Sequence, residues 1–246
     1  MTARIGLIIP SSNRMVEQEM VRYAPAGVQA HIARLRMTGP HHVPLDRLLP
    51  RVEDATHTLT DAKCDVVAFH CTANSMGEGA DGEARVLAAL KRAGAPRALT
   101  TATAIRRALD ALGARRIVLV TPYNAVTTEH EAEFLRAAGY EILHAIGHDL
   151  GGSDAFCAAS AEFWRERMIE AARPEADVYF LSCANTSGFG MIETVERALG
   201  RPLITSNQAL LWDALFQLGW LDRGGCPGRL FAVSGAAEPA HVAQHA

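Results

Sequence analysis

The sequence has few aromatic residues, no long apolar run and no excess of charge of one sign. Aromatic residues make up 6% of the chain and hydrophobic residues 49%, which favours helices packed closely on a sheet over a β-sandwich. Because no run of about 18 apolar residues is present, we expect no membrane-spanning helix. The net charge of −3 is distributed over interspersed residues of both signs, and no basic stripe is present. We therefore expect neither a nucleic-acid partner nor a membrane partner.

Several motifs of common enzyme and metal sites are also missing. The chain has no Gly-x-Ser-x-Gly turn of a serine hydrolase and no glycine-rich phosphate loop. Its five cysteines contain no C-x-x-C pair and no zinc spacing, so we expect free thiols and no metal site. Met1 to Arg4 lead directly into an apolar run too short for the core of an export signal, and we expect a cytoplasmic protein.

Short apolar runs alternate with helical stretches, which predicts βα units and parallel sheets. The helices include one over residues 155–172, where Trp164, Met168 and Ala172 follow at four-residue spacing. The loop over residues 37–44 carries the pair His41-His42, which we expect to be exposed, and the tail from Ala236 is expected to fray. The predicted strands cover residues 4–9, 28–35, 65–69, 98–101, 116–120, 140–146, 178–181 and 202–205.

The chain contains an internal repeat with an offset of 112 residues. Arg4-Ile5-x-Leu7-x-x-Pro10 recurs as Arg116-Ile117-x-Leu119-x-x-Pro122, and Asp65–Ser75 has the same pattern as Asp177–Ser187. Cys71 and Cys183 occupy equivalent positions, each at the end of a buried strand. The fold class that we predict is α/β, with two similar Rossmann-like parallel-sheet halves related by a pseudo-two-fold axis. Ligands of such sheets bind beyond the carboxyl ends of the strands, so both cysteines should face one cleft.

Thiols placed in this way suit two kinds of chemistry. The pKa of a thiol falls at a helix N-terminus, and each cysteine precedes a predicted helix by a few residues. Two thiols on opposite sides of one carbon can transfer a proton by a two-base route. Alternatively, one thiol adds to the substrate while the other handles the proton. Neither route needs a metal or an organic cofactor, so we predict Cys71 and Cys183 as catalytic residues and no cofactor.

Polar residues that follow the strands at the same edge are the predicted substrate-binding groups. They are neutral donors, and together with backbone N–H groups they suit a small mono- or dicarboxylate. Asn13 could instead only cap the first helix, and Tyr123 could only pack. His70 is the neighbour of Cys71, but adjacent strand residues point to opposite faces, so it is not expected to be a catalytic partner. The predicted binding residues are Ser12, Asn13, Thr72, Asn74, Ser75, Tyr123, Asn124, Asn185 and Thr186.

The chain resembles the aspartate/glutamate racemase superfamily, and within it the branch of maleate cis–trans isomerases and arylmalonate decarboxylases. The resemblance covers nearly the whole chain. The segments that carry it are Pro10-Ser11-Ser12-Asn13 with Glu17, the two cysteine loops, Thr121-Pro122-Tyr123, Ser206-Asn207-Gln208-Ala209 with Trp212, and Gly228-Arg229-Leu230-Phe231.

The resemblance implies a division of the chain in which the last helix returns to the first half. The first half would comprise residues 1–103 and 207–246, and the second half residues 104–206. Homodimers or higher homo-oligomers are also a family expectation. In the isomerases, the residue matching Cys71 attacks the alkene and the one matching Cys183 acts as acid and base. Residues matching Asn13, Asn185 and Tyr123 hold the carboxylates. In the decarboxylases, glycine takes the place of Cys71, the cysteine matching Cys183 protonates an enediolate, and Thr72 matches an oxyanion donor.

Both cysteine loops depart from the usual pattern of the branch. The first is usually Cys-Thr-Ser-Gly, and here it reads Cys71-Thr72-Ala73-Asn74. The second is usually Cys-Thr-Asn with a following Arg, which Cys183-Ala184-Asn185-Thr186-Ser187 lacks. Because both cysteines are kept, the main hypothesis is a cofactor-independent isomerase or racemase. The alternatives are a decarboxylase that uses Cys183 alone and a two-lobed small-molecule binding protein.

Overall fold

The structure is a computed structural model that describes residues 2–37, 43–221 and 225–233. The pair His41-His42 and the tail from Ala236 lie outside these residues, as does most of the predicted loop over residues 37–44. The expectations for these segments stay predictions.

Each half of the chain contains a four-stranded parallel sheet with the same strand order. The first sheet, ordered β2-β1-β3-β4, consists of β1 (Ala3–Pro10), β2 (Val28–Leu35), β3 (Val66–Phe69) and β4 (Ala98–Thr100). The second, ordered β6-β5-β7-β8, consists of β5 (Arg116–Thr121), β6 (Glu141–Gly147), β7 (Val178–Leu181) and β8 (Leu203–Thr205). The central strands β3 and β7 are entirely buried, as expected for parallel strands covered on both faces.

Helices connect the strands in both halves. The first half contains α1 (Val16–Tyr23), α2 (Leu45–Asp61), α3 (Thr72–Met76), α4 (Gly79–Arg92) and α5 (Thr101–Ala111). The second half contains α6 (Ala125–Ala137), α7 (Ser153–Ala158), α8 (Ala161–Glu170), a 3-10 turn (Phe189–Met191), α9 (Ile192–Leu199), α10 (Ser206–Leu218) and α11 (Arg229–Ala232).

The internal repeat is visible in the strand register. Ile5 of β1 pairs with Val66 of β3, and Ile117 of β5 pairs with Val178 of β7, each pair displaced by the same 112 residues. The two halves therefore have equivalent strands in equivalent pairings. This confirms the predicted fold class of two similar parallel-sheet halves.

The prediction of one helix over residues 155–172 is wrong. The segment forms α7 and α8, separated at Ala159, whose backbone is extended with φ −64° and ψ 115°. The hydroxyl of Ser160 accepts a hydrogen bond from the backbone N–H of Phe163 at 3.1 Å and so caps α8. Serine favours this position over a helix interior, which explains why the helix restarts there.

Helices α5 and α10 pack against each other, and each crosses to the other sheet. Ile105 of α5 lies in a core with Ile117 of β5 in the second sheet. Leu211 of α10, which follows the second sheet, lies in a core with Ile5 of β1 in the first sheet. The return of the last helix to the first half and the boundaries at residues 103 and 206 stay predictions.

Candidate active site

A cavity of about 30 Å³ lies where the carboxyl ends of β1, β3, β5 and β7 meet. It has room for about two water molecules, so side chains must move to admit a carboxylic acid. None of its lining residues carries a formal charge. The lining residues are Pro10, Ser12, Asn13, Cys71, Thr72, Ala73, Tyr123, Ser153, Phe156, Cys183, Ala184 and Asn185.

Cys71 follows β3 directly and is the residue before the first turn of α3. Its backbone is extended, with φ −149° and ψ 106°. The sulphur accepts hydrogen bonds from the side-chain Nδ2 of Asn74 at 3.4 Å and from the backbone N–H of the same residue. Both donors favour a thiolate, so one residue of the loop supports negative charge on Cys71.

Cys183 follows β7 and has a strained backbone with φ +105°. Its sulphur accepts from the backbone N–H of Asn185 at 3.3 Å and from the hydroxyl of Tyr123. Two further hydrogen bonds hold its peptide groups. Its N–H donates to Ser206 Oγ at 3.1 Å, and its carbonyl accepts from Thr186 Oγ1 at 2.8 Å. Each sulphur thus accepts two hydrogen bonds, but only Cys183 is held in a backbone conformation that residues with a Cβ rarely adopt.

This difference predicts opposite responses to glycine at the two positions. Cys183→Gly is expected to be more stable than Cys183→Ala by about 1 kcal/mol, because glycine adopts positive φ without strain. At Cys71, where φ is ordinary, Cys71→Gly is expected to be less stable than Cys71→Ala by about 0.5–1 kcal/mol. Urea unfolding of the four variants measures both differences. A glycine penalty of equal size at both positions would contradict the strain at Cys183.

The expected lowering of the thiol pKa values at helix N-termini is overturned by burial. Desolvation raises the pKa of Cys71, and it raises the pKa of Cys183 to about 12, although the hydrogen bonds to both sulphurs act in the opposite direction. Helix α3 has only five residues, and no helix starts directly after Cys183. Burial also raises the pKa of Tyr123 well above its usual value. The substrate-free site therefore holds neutral thiols and a neutral phenol at neutral pH.

Glu131 of α6 is a buried carboxyl near this site that the sequence analysis missed. Its Oε2 accepts from the hydroxyl of Ser182 at 2.5 Å, while Oε1 is buried without a hydrogen-bond partner among the described residues. Burial raises the pKa of Glu131 to about 8, and its charge, when present, raises the pKa of both thiols. The available signal was its position: the buried face of α6 includes Thr128, Glu131 and Leu135, at helical spacing.

Five of the predicted binding residues line the cavity together with both cysteines: Ser12, Asn13, Thr72, Tyr123 and Asn185. The two asparagines also join the halves across it. Asn13 Nδ2 donates to Ala184 O at 2.9 Å, and Asn185 Nδ2 donates to Ser12 O at 3.4 Å. Asn13 Oδ1 additionally accepts from the N–H groups of Met15 and Val16, so this residue both caps α1 and lines the cavity. The remaining lining residues, Pro10, Ala73, Ser153, Phe156 and Ala184, were not predicted.

The other four predicted binding residues, Asn74, Ser75, Asn124 and Thr186, do not line the cavity. Asn124 is exposed, and its side chain caps α6 by accepting from Thr127 N–H at 2.9 Å. Ser75 donates to Thr72 O at 2.9 Å, Thr186 donates to Cys183 O, and Asn74 Oδ1 accepts from the backbone N–H of Val43 at 2.8 Å. Asn74, Ser75 and Thr186 therefore form hydrogen bonds within the cysteine loops, and Asn74 also joins its loop to Val43.

His70 is fully buried on the far side of Cys71, as the strand alternation predicts. Asn207 donates through Nδ2 to Glu19 Oε2 and Ala184 O, so its Oδ1 must face His70 Nε2, 2.8 Å away. Nε2 of His70 therefore carries the proton, and Nδ1 accepts from Thr101 Oγ1 at 2.9 Å. Burial lowers the pKa of His70 to about 4. A neutral histidine with both nitrogens engaged cannot take the proton of Cys71.

The described part of the chain contains neither a group of metal ligands nor a membrane-spanning helix. Among residues 2–37, 43–221 and 225–233, no three His, Cys, Asp or Glu side chains are grouped so that they could hold a metal ion. No helix in the same part of the chain is long and apolar enough to cross a membrane.

The chain is similar to known proteins over most of its length. Maleate isomerase from Geobacillus stearothermophilus is 29% identical, over 87% of this chain and 91% of its own. Arylmalonate decarboxylase from Bordetella bronchiseptica is 28% identical, over 95% and 98%. A solved structure of Nocardia farcinica maleate cis–trans isomerase, a cysteine-to-serine mutant with a covalently bound succinylcysteine intermediate, matches with a TM-score of 0.85 at 26% identity. That match covers 94% of this chain and 98% of the other.

These relatives are enzymes, which favours an enzyme over the two-lobed binding protein considered from the sequence. Their names also confirm the branch that the cysteine loops indicated. Residues 5–231, which include both cysteine loops and the helices behind them, match the family model described as arylmalonate decarboxylase. The chain therefore belongs to the arylmalonate decarboxylase family.

Proposed function

We propose that the protein is a cofactor-independent isomerase of the maleate cis–trans isomerase type that acts on a small carboxylic acid. The observation that carries this proposal is the pair of buried thiols, Cys71 and Cys183, which line one cavity and each accept two hydrogen bonds. A decarboxylase needs one proton donor, whereas addition to an alkene needs a nucleophile and an acid.

The two thiols have different roles in the proposed reaction: Cys71 is the nucleophile and Cys183 is the proton donor. Cys71 loses its proton to water as the substrate binds, and it attacks as a thiolate that the two N–H donors of Asn74 support. A sulphur–carbon bond forms, the π bond of the alkene breaks, and its electron pair takes the proton of the Cys183 thiol at the adjacent carbon. The substrate is then held by a single carbon–carbon bond that can rotate. Removal of the same proton by the Cys183 thiolate expels Cys71 and regenerates the alkene in the other geometry.

The succinylcysteine in the Nocardia farcinica structure supports this sequence of steps. Succinate bound through sulphur is what addition of a thiol to a four-carbon unsaturated diacid produces. Because one cysteine of that mutant is replaced by serine, the adduct is on a different cysteine. This matches a pair of thiols with unequal roles.

Neutral donors are proposed to hold the substrate carboxylates. Tyr123, Thr72 and Asn185 line the cavity next to the sulphurs and bring no formal charge. In a site closed to water, such fixed dipoles stabilise the negative charge that develops after thiolate attack. Because the cavity is small, a substrate with one or two carboxylates and few other atoms needs the least rearrangement of these side chains.

A decarboxylase of malonate-type acids is the second candidate. The matched family model is that of arylmalonate decarboxylase, and the relative from Bordetella bronchiseptica covers almost the whole chain. The strained backbone of Cys183 and its hydrogen bond from Tyr123 suit a single, precisely placed proton donor. In this scheme Cys71 has no chemical role.

Proton NMR in D₂O with a panel of acids separates the two candidates. The panel consists of maleate, substituted maleates, aryl- and alkyl-malonates, and chiral amino and hydroxy acids. Conversion of a cis alkene to its trans isomer is expected. Loss of carbon dioxide from a malonate with deuterium at the product α-carbon would instead establish the decarboxylase, and exchange without net conversion would indicate a racemase. The cytoplasmic location and a homo-oligomeric state stay predictions from the sequence.

A further inference from the structure

A buried polar network behind the two cysteine loops has no part in the chemistry described above. At its centre is Asn207, the second residue of α10, which is 1% exposed. Its Nδ2 donates to Glu19 Oε2 at 2.5 Å and to Ala184 O at 3.3 Å, and its Oδ1 accepts from His70 Nε2 at 2.8 Å. His70 directly precedes Cys71, and Ala184 directly follows Cys183. The side-chain amide of Asn207 therefore forms a hydrogen bond with the residue next to each cysteine.

The internal repeat shows what this amide adds. Glu131 and Ser182 stand 112 positions after Glu19 and His70, the same offset that relates the two cysteines. In the second half, Glu131 contacts Ser182 directly, within that half. In the first half, Asn207 is inserted between Glu19 and His70. The direct hydrogen bond of the second half is thus replaced in the first half by an amide that also contacts the loop of Cys183.

The residue before Asn207 makes a second bridge between the same loops. Ser206 Oγ accepts from Thr72 Oγ1 at 2.9 Å and from the backbone N–H of Cys183 at 3.1 Å. Thr72 follows Cys71, so the start of α10 contacts residues at or beside both cysteines through two adjacent side chains. Thr205 caps this end of the helix by accepting from Gln208 N–H at 3.1 Å, which fixes both bridges to one rigid element.

We propose that Asn207 is a positioning residue that sets the placement of Cys71 relative to Cys183, with neutral His70 as its fixed partner. The proposal rests on the proposed function in one respect, namely that both sulphurs act on one substrate molecule. Such chemistry is sensitive to placement, since a displacement of about 1 Å at a reacting group costs on the order of 100-fold in rate.

The test compares Asn207→Ala with Gln208→Ala. Gln208 is the next residue of α10, is also fully buried, and donates through Nε2 to Pro227 O at 2.8 Å, away from both cysteine loops. Both substitutions remove one buried amide from the same helix, so both are expected to lower the midpoint of thermal unfolding. The full-length folded proteins are treated with iodoacetamide, and the alkylation rates of Cys71 and Cys183 are read by mass spectrometry of their peptides.

Asn207→Ala is expected to change the alkylation rates of the two cysteines by about tenfold and to alter their ratio, because the groups that hold both loops are lost. Gln208→Ala is expected to leave both rates within about twofold of the wild type. On an active substrate, Asn207→Ala is expected to lower kcat by about 100-fold with little change in KM. A folded Asn207→Ala protein with wild-type alkylation rates would overturn the proposal.

A second pair of variants decides the matter if Asn207→Ala does not fold. His70→Gln places an amide nitrogen where Nε2 of the imidazole lies and so keeps the donor to Asn207. His70→Asn is too short to reach and keeps only the contact toward Thr101. The wild-type ratio of alkylation rates is expected to survive in His70→Gln and to be lost in His70→Asn. Equal behaviour of the two variants would overturn the proposal. The alkylation readout needs no substrate, so its result is independent of whether the acid panel reveals an isomerase.

Discussion

Cys71→Ala is expected to lower turnover by about 10³-fold or more while leaving the fold intact, because it removes the nucleophile. Among the residues that line the cavity, the other thiol, Cys183, is hydrogen-bonded in its own loop and supplies the proton, so it cannot take over this role. The measurement is the rate of cis–trans conversion by proton NMR, with circular dichroism to establish folding. Loss of activity by a folded variant would support the cysteine pair.

Cys64→Ala is the matched control for this experiment. Cys64 is also a buried thiol of the first half, but it packs in the core of the first sheet and does not line the cavity. Its replacement is expected to leave turnover within about twofold of the wild type. A Cys71→Ala protein that keeps most of its activity would refute the isomerase mechanism and would favour the decarboxylase, in which Cys183 acts alone.

Glu131→Gln is expected to be more stable than the wild type by roughly 5 kcal/mol at pH 9 and by less than about 1 kcal/mol at pH 5. Burial raises the pKa of this carboxyl from 4.5 to about 8. Between these values the folded protein keeps a proton that the unfolded chain has lost. The contribution of Glu131 to stability is therefore fully present below about pH 4.5, falls as the pH rises, and reaches its minimum above about pH 8. Glutamine resembles the protonated carboxyl in shape and cannot ionise.

The matched control is Glu129→Gln, two residues away on the same helix. Glu129 is exposed and forms a surface ion pair with Arg136 at 2.6 Å, which contributes little to stability. Urea unfolding at pH 5, 7 and 9 measures the free energy of unfolding of both variants. Glu19, whose pKa burial raises to about 7, produces a decline of the same sign in the wild type and in both variants. The comparison therefore isolates Glu131, and parallel stability profiles for Glu131→Gln and the wild type would refute its buried ionisation.

The fold was largely predictable because its signals are local and repeated. Strands β2 and β7 start and end at the predicted residues. No boundary of the other strands differs from its prediction by more than one residue. Buried parallel strands are continuous apolar runs, which makes them easy to identify in a sequence. The predicted helix over residues 155–172 was wrong because the apolar spacing that indicated it, at Trp164, Met168 and Ala172, lies after Ser160 and does not show where the helix starts. The capping hydrogen bond that restarts the helix is visible only in the structure.

The cavity was only partly predictable from residue type and position at strand ends. Ser12, Asn13, Thr72, Tyr123 and Asn185 follow strands and line the cavity as expected. Asn124 follows a strand as well, but it was misplaced because its side chain turns back to cap α6. Whether a short polar side chain reaches toward a ligand or back to its own backbone depends on the local φ and ψ, which the sequence does not reveal. Ser153 and Phe156 were missed because they belong to α7, and the sequence does not reveal the path of the loop that connects β6 to this helix.

The sequence by itself determined the duplicated α/β fold and the pairing of Cys71 with Cys183, since both depend on residue order and on an offset that can be counted. Its motifs indicated the family by resemblance. Only the tertiary structure decided the electrostatic state of the site. The sequence suggested thiols with lowered pKa values at helix ends, whereas burial raises them and also holds Glu131 beside them with a pKa of about 8. Desolvation is a sum over everything that surrounds a group, and for these cysteines the surroundings come from both halves of the chain. The bridge through Asn207 was hidden for the same reason, because it joins Glu19, His70 and Ala184, which are far apart in sequence and meet only in the folded protein.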